Sequence, residues 1–260
     1  MSSVITIISD YGLASHYAAA IEGRAAMLLP TSKFVPLTHQ LETFDITGAA
    51  FYLRQVFHEY PSGTWNILGI DSNIVLHKQF LVVKFNDKYF IGADNGLFSI
   101  LFDETPEEVW KISQKFYSEN ELFAEKNVFL PFIAKFLETN SFEEIAEPGL
   151  VQNVKKSLAP VIEPDGKIIG TILLVDNYQN GITNITKQLF EEKRAGRNFK
   201  VFYINRHYID KISTHYHEGQ EGDDLLLFNE MNLLEIAIYR GRGAQLLGLR
   251  KGSNIIVEFY

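Results

Sequence analysis

Residues 4–39, VITIISDYGLASHYAAAIEGRAAMLLPTSKFVPLTH, contain the pattern that decides the fold. Val4–Ser9 is a short apolar run rich in β-branched residues, which predicts a buried strand. Ala14–Leu29 is rich in alanine and has apolar residues at helical spacing, whereas Lys33–Leu37 is again typical of a strand. A strand, a helix and a second strand in this order predict a βαβ unit with a parallel pair of strands.

The same alternation continues over the first 150 residues. Asp45–Tyr60 begins with a capping aspartate and predicts a helix, and Thr64–Ile70 predicts a further buried strand. Two strand-like runs then flank Asn86-Asp87, a pair of residues typical of a hairpin turn. Phe129–Thr139 predicts the last helix of this half. We therefore expect residues 1–150 to form an α/β domain with a largely parallel sheet.

The character of the chain changes near residue 145. The stretch EPGLVQNVKKSLAPVIEPDG holds three prolines and is typical of a linker, so we place a second domain at residues 158–260. Short strands dominate this part, which predicts a mainly β domain, a small barrel or a sandwich. The predicted strands are Lys167–Val175, Phe199–Asn205, Leu225–Phe228, Leu233–Tyr239 and Asn254–Phe259, with Ile182–Lys193 expected as a helix or turn.

Composition excludes several classes of function. The formal net charge of −8 disfavours a general nucleic-acid-binding protein, because such proteins need a basic face. There are no cysteines, which excludes disulfides, thiolate metal sites and cysteine nucleophiles. The segment MSSVITIISDYG lacks the features of a signal peptide, and no apolar run approaches the roughly 18–20 residues of a membrane helix. We expect a soluble cytoplasmic protein with no nucleic-acid or membrane partner.

Polar residues follow three predicted strands of the first domain. Asp10 follows the first strand, Thr38-His39 the second and Asp71 the third. In open α/β sheets ligands bind beyond the carboxyl ends of the strands, so these residues are expected to converge on a site. The alternative is that some of them are helix caps or turn residues.

A second candidate site lies in DNYQNGITNI, residues 176–185. A strand ends at Asp176, and a polar turn with Tyr178 and Asn180 follows. Aspartate can fix a cationic amine, asparagine can make a two-point hydrogen bond to an amide-like edge, and tyrosine can stack on a ring. An Asx turn that caps a helix at Thr183 is an equally good interpretation.

Two other patterns carry less information. His215 and His217 are spaced so that they share one face of a strand, close to His207, but no carboxylate pattern completes a metal site. Solvated loop histidines are the commoner interpretation, and we expect no metal. Gly241–Gly248, GRGAQLLG, lacks the Lys-Ser/Thr of a phosphate-binding loop, so a tight turn is favoured.

Six stretches in the right order and at the right intervals give the chain a specific resemblance. Together they resemble the S-adenosylmethionine (SAM) hydrolase and halogenase family, also called the SAM hydroxide adenosyltransferases, over nearly the whole chain. The stretches are ITIISDYGLASHYAAAIEG, PLTHQLETFDITGAAFYL, YPSGTWNILGID, FIGADNGLFS, DNYQNGITNI and LLEIAIYRGRGAQLLGL.

The resemblance implies an N-terminal α/β domain followed by a C-terminal β-barrel. It also implies a homotrimer that binds SAM between the N-domain of one subunit and the C-domain of its neighbour, with no cofactor. Residues at family positions that bind the substrate are Asp10 for the ribose hydroxyls, Phe44 for the ribose and sulfonium region, Asp176 for the methionine amine, Tyr178 and Asn180 for the adenine face and edge, and Gly243-Ala244 for a backbone contact with adenine.

The chain departs from the family at the catalytic positions. The family uses an Asp–Arg–His set to position and activate water; here Asp71 is retained, Lys78 stands for the arginine and Ala124 for the histidine. Lysine supplies charge but not the planar two-point fork of arginine. The loop SNIV after Asp71 also lacks the family's glycines and proline. His77, next to Lys78, could replace the lost imidazole or could be an exposed loop residue.

Two substrate-binding positions are exchanged as well. Ser15 stands where the family has a second N-terminal aspartate, and Glu230 stands where it has a serine that touches the methionine end. One acidic group is lost near the amine and another is gained. The amine pocket could keep its charge by this exchange, or it could serve a different ligand.

The expected function is hydrolysis of SAM to adenosine and L-methionine by displacement at the ribose C5′ carbon, with Asp71 and Lys78 orienting the water. The alternative is a catalytically impaired protein of the same family that binds SAM or adenosine. A halogenase is the least favoured, because Glu125 occupies the place of the halide pocket and would repel an anion.

Overall fold

The computed structural model describes residues 3–77, 79–102, 104–119, 121–152, 158–204 and 207–260. The chain divides into two compact units, Met1–Ser157 (the N-unit) and Leu158–Tyr260 (the C-unit). Each unit has its own sheet and its own hydrophobic core. No helix within these described ranges is long and apolar enough to cross a bilayer.

The N-unit is built on a seven-stranded sheet. Its strands are β1 (Val4–Ser9), β2 (Lys33–Thr38), β3 (Trp65–Gly69), β4 (Phe80–Phe85), β5 (Lys88–Ala93), β6 (Glu108–Ile112) and β7 (Ala146–Pro148). The spatial order is β2-β1-β3-β5-β4-β6-β7. The pairs β2/β1, β1/β3 and β3/β5 are parallel, and the other three are antiparallel. The predicted α/β class is confirmed, with a sheet that is parallel only in part, because β4 and β5 form a hairpin.

Five α-helices accompany this sheet in the described part of the N-unit. They are α1 (His16–Leu28), α2 (Ile46–Val56), α3 (Ile74–His77), α4 (Leu97–Leu101) and α5 (Leu130–Thr139). The predicted aspartate cap is confirmed, since Asp45 Oδ1 accepts a hydrogen bond from the Gly48 amide at 2.9 Å. The predicted hairpin turn is confirmed too, because Asn86 and Asp87 both adopt positive φ angles that match the twist of the paired strands.

The N-unit core explains the buried strands. Ile5 and Ile7 of β1 and Trp65 of β3 are fully buried and belong to one apolar cluster with residues of α1 and α5, including Ile21 and Phe132. The opposite side of β1 contacts α2, which in turn packs against α4. Strands covered on both faces need apolar residues on both, which is why β1 is a continuous apolar run.

The C-unit contains a second, antiparallel sheet. Its elements are β8 (Val161–Ile162), β9 (Ile168–Val175), β10 (Gly181–Thr186), α6 (Lys187–Arg194), β11 (Phe199–Ile204), β12 (His207–Ile209), β13 (Asp224–Phe228), β14 (Leu233–Ile238), α7 (Gly243–Leu247) and β15 (Asn254–Phe259). The strand order is β12-β11-β15-β9-β10-β14-β13, with β8 on β9. The two end strands contact each other, and Ser213 bridges to Leu227, so the sheet is nearly closed. The predicted barrel-like domain is confirmed.

Two local predictions are wrong. Ile182–Lys193 is not a single helix or turn: its first part belongs to β10, and α6 begins only after Thr186, whose hydroxyl accepts from the Leu189 amide at 3.2 Å. The β-branched residues Ile182, Thr183 and Thr186 pair with residues of β9 or β14, which favours a strand over a helix. The region predicted as a linker also contributes β7 and β8 to the two sheets, because its ends pair with neighbouring strands.

Candidate functional site

A cavity of about 470 Å³ lies at the carboxyl ends of the parallel strands of the N-unit. Ser9 at the end of β1 pairs with Gly69 at the end of β3, so the segments that follow them leave the sheet side by side. Asp10 and Asp71 both line the cavity as a result. This is the convergence expected from the sequence for two of the three strand ends.

The third strand end serves a different purpose. His39, after β2, is buried, and its Nδ1 lies 2.6 Å from the Ser9 hydroxyl oxygen. Burial lowers the pKa of His39, so the ring is neutral at neutral pH. His39 is not part of the described lining of the cavity. It ties the end of β2 to the end of β1.

Asp10 fixes the loop that carries Phe44. Asp10 Oδ2 accepts a hydrogen bond of 2.8 Å from the Phe44 amide. Phe44 has a φ of 63°, a conformation that bulky residues rarely adopt, and its side chain is 68% exposed at the cavity. A large apolar ring held in a strained conformation next to a cavity is typical of a ligand-contacting position.

Asp71 has an imidazole partner. His77 Nε2 lies 2.9 Å from Asp71 Oδ2, and both side chains are mostly buried. The contact arises because residues 74–77 form the short helix α3, which returns His77 to the aspartate. Asn95 Nδ2 donates to the Ile70 carbonyl at 2.7 Å and fixes the backbone just before Asp71. Lys78, the predicted partner of Asp71, lies outside the described residues.

Glu125 is a site residue that the sequence analysis considered only as an obstacle to halide. It opens the π-helical turn Glu125–Phe129 and lines the cavity, yet it is only 2% exposed. Its carboxyl group is hydrogen-bonded with the Tyr11 and Ser72 side chains. Its Oε1 has no hydrogen-bond partner among the described residues. Burial is the main cause that raises the pKa of Glu125.

Gly69 makes room for this carboxyl group. A Cβ at Gly69 would lie 3.1 Å from Ser9 Cβ and 3.3 Å from Glu125 Cγ, which is tighter than ordinary contact. The neighbouring Ala124 is buried in the apolar core and brings no polar group to the cavity. The position before Glu125 is therefore structural, and Glu125 itself faces the site.

The cavity has an acidic and aromatic wall. Four carboxyl groups line it, those of Asp10, Asp71, Glu121 and Glu125, and its described lining contains no lysine or arginine. The rings of Tyr11 and Tyr17 lie 5.5 Å apart on the same wall. Carboxylates and aromatic faces both attract cations. The arrangement therefore suits a positively charged group, not an anion.

The C-unit has a separate cavity of about 620 Å³ next to the turn between β9 and β10. Asp176 Oδ1 accepts a hydrogen bond of 2.8 Å from the backbone amide of Asn180, and Asp176 Oδ2 accepts one of 3.3 Å from the side-chain Nδ2 of Asn180. Asp176 thus accepts from a residue four positions ahead, and Thr183 lies in the strand β10, so the alternative of an Asx turn that caps a helix at Thr183 is wrong. Asp176 and Asn180 both line the cavity, and Tyr178 at the tip of the turn is 78% exposed.

A buried glutamate supports this turn from the sheet below. Glu235 Oε1 accepts from the Tyr216 hydroxyl at 2.8 Å and Oε2 from Asn229 Nδ2 at 3.0 Å. Its carboxyl group is also hydrogen-bonded to Asn180, and burial raises its pKa. Tyr216 lines the same cavity. From the sequence, Glu235 was only one residue in a stretch that resembles the family, and it was not predicted to be a site residue. Its contact with Asn180 joins the strand β14 to the turn between β9 and β10, so no spacing rule could have predicted it.

The remaining predicted residues lie around these cavities. Ala244 is buried, and its amide donates to the Gln179 carbonyl at 2.6 Å, which brings α7 against the β9–β10 turn. Ser15 donates from its hydroxyl to the Tyr11 carbonyl at 3.0 Å at the start of α1 and is not part of the described lining of the N-unit cavity. Glu230 is exposed in the turn after β13.

The histidines of the C-unit do not form a ligand cluster. The rings of His215 and His217 are 6.3 Å apart, and His217 packs against Tyr239. Within the described parts of the chain, no group of three histidine or carboxylate side chains could hold a metal ion.

Comparison with known proteins gives matches along nearly the whole chain. The model of the SAM hydroxide adenosyltransferase N-terminal domain matches residues 5–146, and that of the C-terminal domain matches residues 170–256. The (R)-S-adenosyl-L-methionine hydrolase of Methanocaldococcus jannaschii is 25% identical over 73% of this chain and 81% of its own. The enzyme of that name from Thermus thermophilus is 25% identical over 96% of this chain and 98% of its own.

Two solved structures have the same fold. An uncharacterized conserved protein from Thermotoga maritima superposes with a TM-score of 0.84 at 25% identity and covers 99% of both chains. A conserved hypothetical protein from Thermus thermophilus superposes with a TM-score of 0.74 at 24% identity over the full length of both. The two-unit architecture is thus shared at low sequence identity.

Proposed function

Because the chain belongs to the SAM hydroxide adenosyltransferase family, we propose that it hydrolyses SAM to adenosine and L-methionine. The relatives named as SAM hydrolases support this activity. The observation that carries the proposal is the Asp71–His77 pair, held 2.9 Å apart beyond the carboxyl end of β3, with Asp71 on the wall of an acidic cavity.

The reaction is an in-line displacement at the ribose C5′ carbon. The water oxygen forms the new bond to C5′, the C5′–S bond breaks, and its electron pair stays on the methionine sulfur. The attacking water loses one proton. A sulfonium is already a good leaving group, so the protein mainly aligns the water and removes its competing solvation. Asp71, oriented by His77, accepts a hydrogen bond from that water.

The other cavity residues hold the substrate. Asp10 binds the ribose hydroxyls and Phe44 packs on the ribose and sulfonium region, while the surrounding carboxyl groups favour the positive sulfur over a neutral ligand. In the C-unit, Asp176 binds the methionine amine, Tyr178 stacks on adenine and Asn180 bonds its edge. The backbone at Ala244 serves adenine as well, and Ser15 and Glu230 keep the methionine-end positions that the resemblance implies. Active subunits associate as homotrimers in this proposal.

Turnover is the direct test. The purified protein is incubated with SAM, and adenosine and methionine are separated by chromatography and quantified. Equal amounts of the two products, absent from a heat-denatured sample, are expected. Chloride and fluoride are added in parallel, and no 5′-halogenated nucleoside is expected because the acidic cavity repels anions. Absence of adenosine above the denatured sample would rule out the proposed reaction.

A binding protein without chemistry is the second candidate, and Ala124 is the observation that favours it. The family histidine is replaced there by a buried methyl group in the apolar core. Such a protein would be stabilised against heat by SAM or adenosine without consuming either. A melting-temperature shift with no product would select this candidate, whereas no shift at millimolar ligand would exclude both.

A further inference from the structure

Glu125 is the buried group of the N-unit that the proposed mechanism leaves without a task. It is 2% exposed, it lines the same cavity as Asp71, and its Oε1 has no partner among the described residues. Leaving a buried acceptor unpaired is unfavourable, because the hydrogen bonds that it made with water are not replaced. A position that carries this cost at a cavity wall is a candidate for a group that acts on a ligand.

The surroundings of Glu125 are mostly acidic or phenolic. The titratable groups that line the cavity with it are Asp10 and Tyr11 after β1, Tyr17 on α1, Asp71 after β3 and Glu121 on its own segment, and His77 lies 2.9 Å from Asp71. Lys126 points elsewhere, with its ammonium 5.3 Å from the Phe123 ring centre. The carboxylate of Asp94, which follows β5, accepts hydrogen bonds from the Gln79 side chain and from the Gln152 backbone amide. No described cation therefore stabilises a Glu125 carboxylate when the cavity is empty.

We propose that the Glu125 carboxylate accepts the proton that the attacking water loses, and that the cationic substrate converts the carboxyl group to this form when it binds. The inference rests on the proposed hydrolysis. Its step balances: the O–C5′ bond forms, the C5′–S electron pair goes to sulfur, and the water proton moves to a Glu125 oxygen. The proton leaves to solvent after the products depart.

The physical reason is the charge of the substrate. In the empty cavity, burial raises the pKa of Glu125 and so favours its protonated form, because the charged form is poorly solvated. A sulfonium placed in the same cavity is an opposite charge in a poorly polarisable surrounding, so it favours the carboxylate. Substrate binding then releases a proton and creates the base where it is needed. Asp71 and His77 remain the groups that orient the water.

Calorimetry with two unreactive ligands tests the charge coupling. Sinefungin carries an ammonium near the position of the sulfonium and cannot be hydrolysed in this way, whereas S-adenosylhomocysteine is neutral at its sulfur. Each is titrated into the protein in buffers of different ionisation enthalpy. We expect proton release with sinefungin, little with S-adenosylhomocysteine, and loss of the release in Glu125→Gln. Release that persists in Glu125→Gln would overturn the inference.

Kinetics with the same variant tests the chemical role. Glu125→Gln is expected to lower kcat by about 10²–10⁴-fold, the usual contribution of a general base, and to remove the acidic limb of the pH profile of kcat. Glu138→Gln, an exposed change on α5, is the matched control and is expected to keep native kcat. If Glu125→Gln keeps native kcat, the inference fails while the proposed hydrolysis stands. If the native protein forms no adenosine, both fail.

A second variant covers the case in which Glu125→Gln does not fold, which a melting curve shows. Tyr11→Phe removes a hydroxyl whose hydrogen bond lowers the pKa of Glu125. The acidic limb of the kcat profile is expected to move to higher pH in this variant. A limb that stays in place in a folded Tyr11→Phe protein would contradict the role of Glu125.

Discussion

The two cavities differ in how their polar groups are partnered. In the C-unit, Asp176 is bonded to Asn180, and Glu235 is bonded to Tyr216 and Asn229, so the acids are satisfied by neighbours. In the N-unit, Glu125 has an oxygen with no partner among the described residues. A satisfied network holds a rigid shape that can recognise a ligand. An unsatisfied buried acid is available for a reaction.

Backbone conformation is unusual at both cavities, since Arg240, which lines the C-unit cavity, has a φ angle of 53°. Asp71 and Phe44, at the N-unit cavity, are non-glycine residues with φ angles of 46° and 63°. Residues in such sparsely populated conformations cost of order 1–3 kcal/mol each and cluster at active sites. The positions of Asp71 and Phe44 are therefore determined by their surroundings, Asn95 in one case and Asp10 in the other. The partnering of the acids, and not the backbone conformation, is the difference on which we base the proposal of chemistry at the N-unit cavity and recognition at the C-unit cavity.

Among the proposed variants, Asp71→Ala is expected to have the largest effect, which is a decrease in kcat. Without the carboxylate the water loses the hydrogen-bond acceptor that orients it in line with C5′, and kcat for adenosine formation is expected to fall by about 10²–10⁴-fold. Asp210→Ala, an exposed aspartate of the C-unit, is the matched control and should keep native kcat. A folded Asp71→Ala protein with native kcat would exclude Asp71 from the chemistry.

His77→Ala should have the next largest effect, because His77 acts by positioning Asp71. A misplaced aspartate is expected to lower kcat by about 10²-fold, less than its removal. His77→Gln can still donate a hydrogen bond to Asp71 and should recover part of the loss. The kcat pH profile of both variants is measured alongside. A purely structural histidine would give equal losses in the two variants and an unchanged profile.

Asn180→Ala tests the recognition half of the comparison. Removal of one hydrogen bond at a buried position costs about 1–3 kcal/mol, so KM for SAM is expected to rise roughly 5-fold to 10²-fold. No change in kcat is expected, because Asn180 acts equally on substrate and transition state. Asn198→Ala, at an exposed asparagine, is the control. A loss confined to kcat would break the division of labour between the two cavities.

Thermal unfolding as a function of pH tests the smallest difference, that between the two buried glutamates. The pKa of Glu125 is raised in the folded state, so the native protein binds more protons than the unfolded chain above the ordinary glutamate pKa. Its contribution to stability is present below the unfolded pKa and is lost as the pH rises through the folded pKa.

Glu125→Gln removes this ionisation, so its melting temperature is expected to exceed that of the native protein by a few degrees at about pH 8, with a smaller gap at about pH 5. Glu235→Gln is the matched variant: it places an amide donor among the donors of Tyr216 and Asn229 and is expected to melt lower. Equal shifts in the two variants would show that partnering does not distinguish the two acids.

Local patterns predicted the elements well where local rules determine them. The alternation of strands and helices, the Asp45 cap and the Asn86-Asp87 turn depend on nearby residues and are confirmed. The prediction failed at residues 182–193, because pairing with β9 and β14 is a long-range contact that a short window cannot contain. The strands β7 and β8 were not predicted for the same reason: the proline-rich composition of this stretch indicates a linker, whereas the pairing of its ends with β6 and β9 is a tertiary contact.

The sequence by itself determined the family resemblance, the order of elements and the meeting of Asp10 with Asp71, since the carboxyl ends of parallel neighbours share one sheet edge. Only the tertiary structure decided which group meets Asp71 and which acid lacks a partner among the described residues. His77 reaches Asp71 through the short helix α3, and Glu125 reaches the cavity from 54 residues farther along the chain, past a glycine at the end of β3. Such contacts depend on packing in three dimensions, and no spacing in the sequence encodes them.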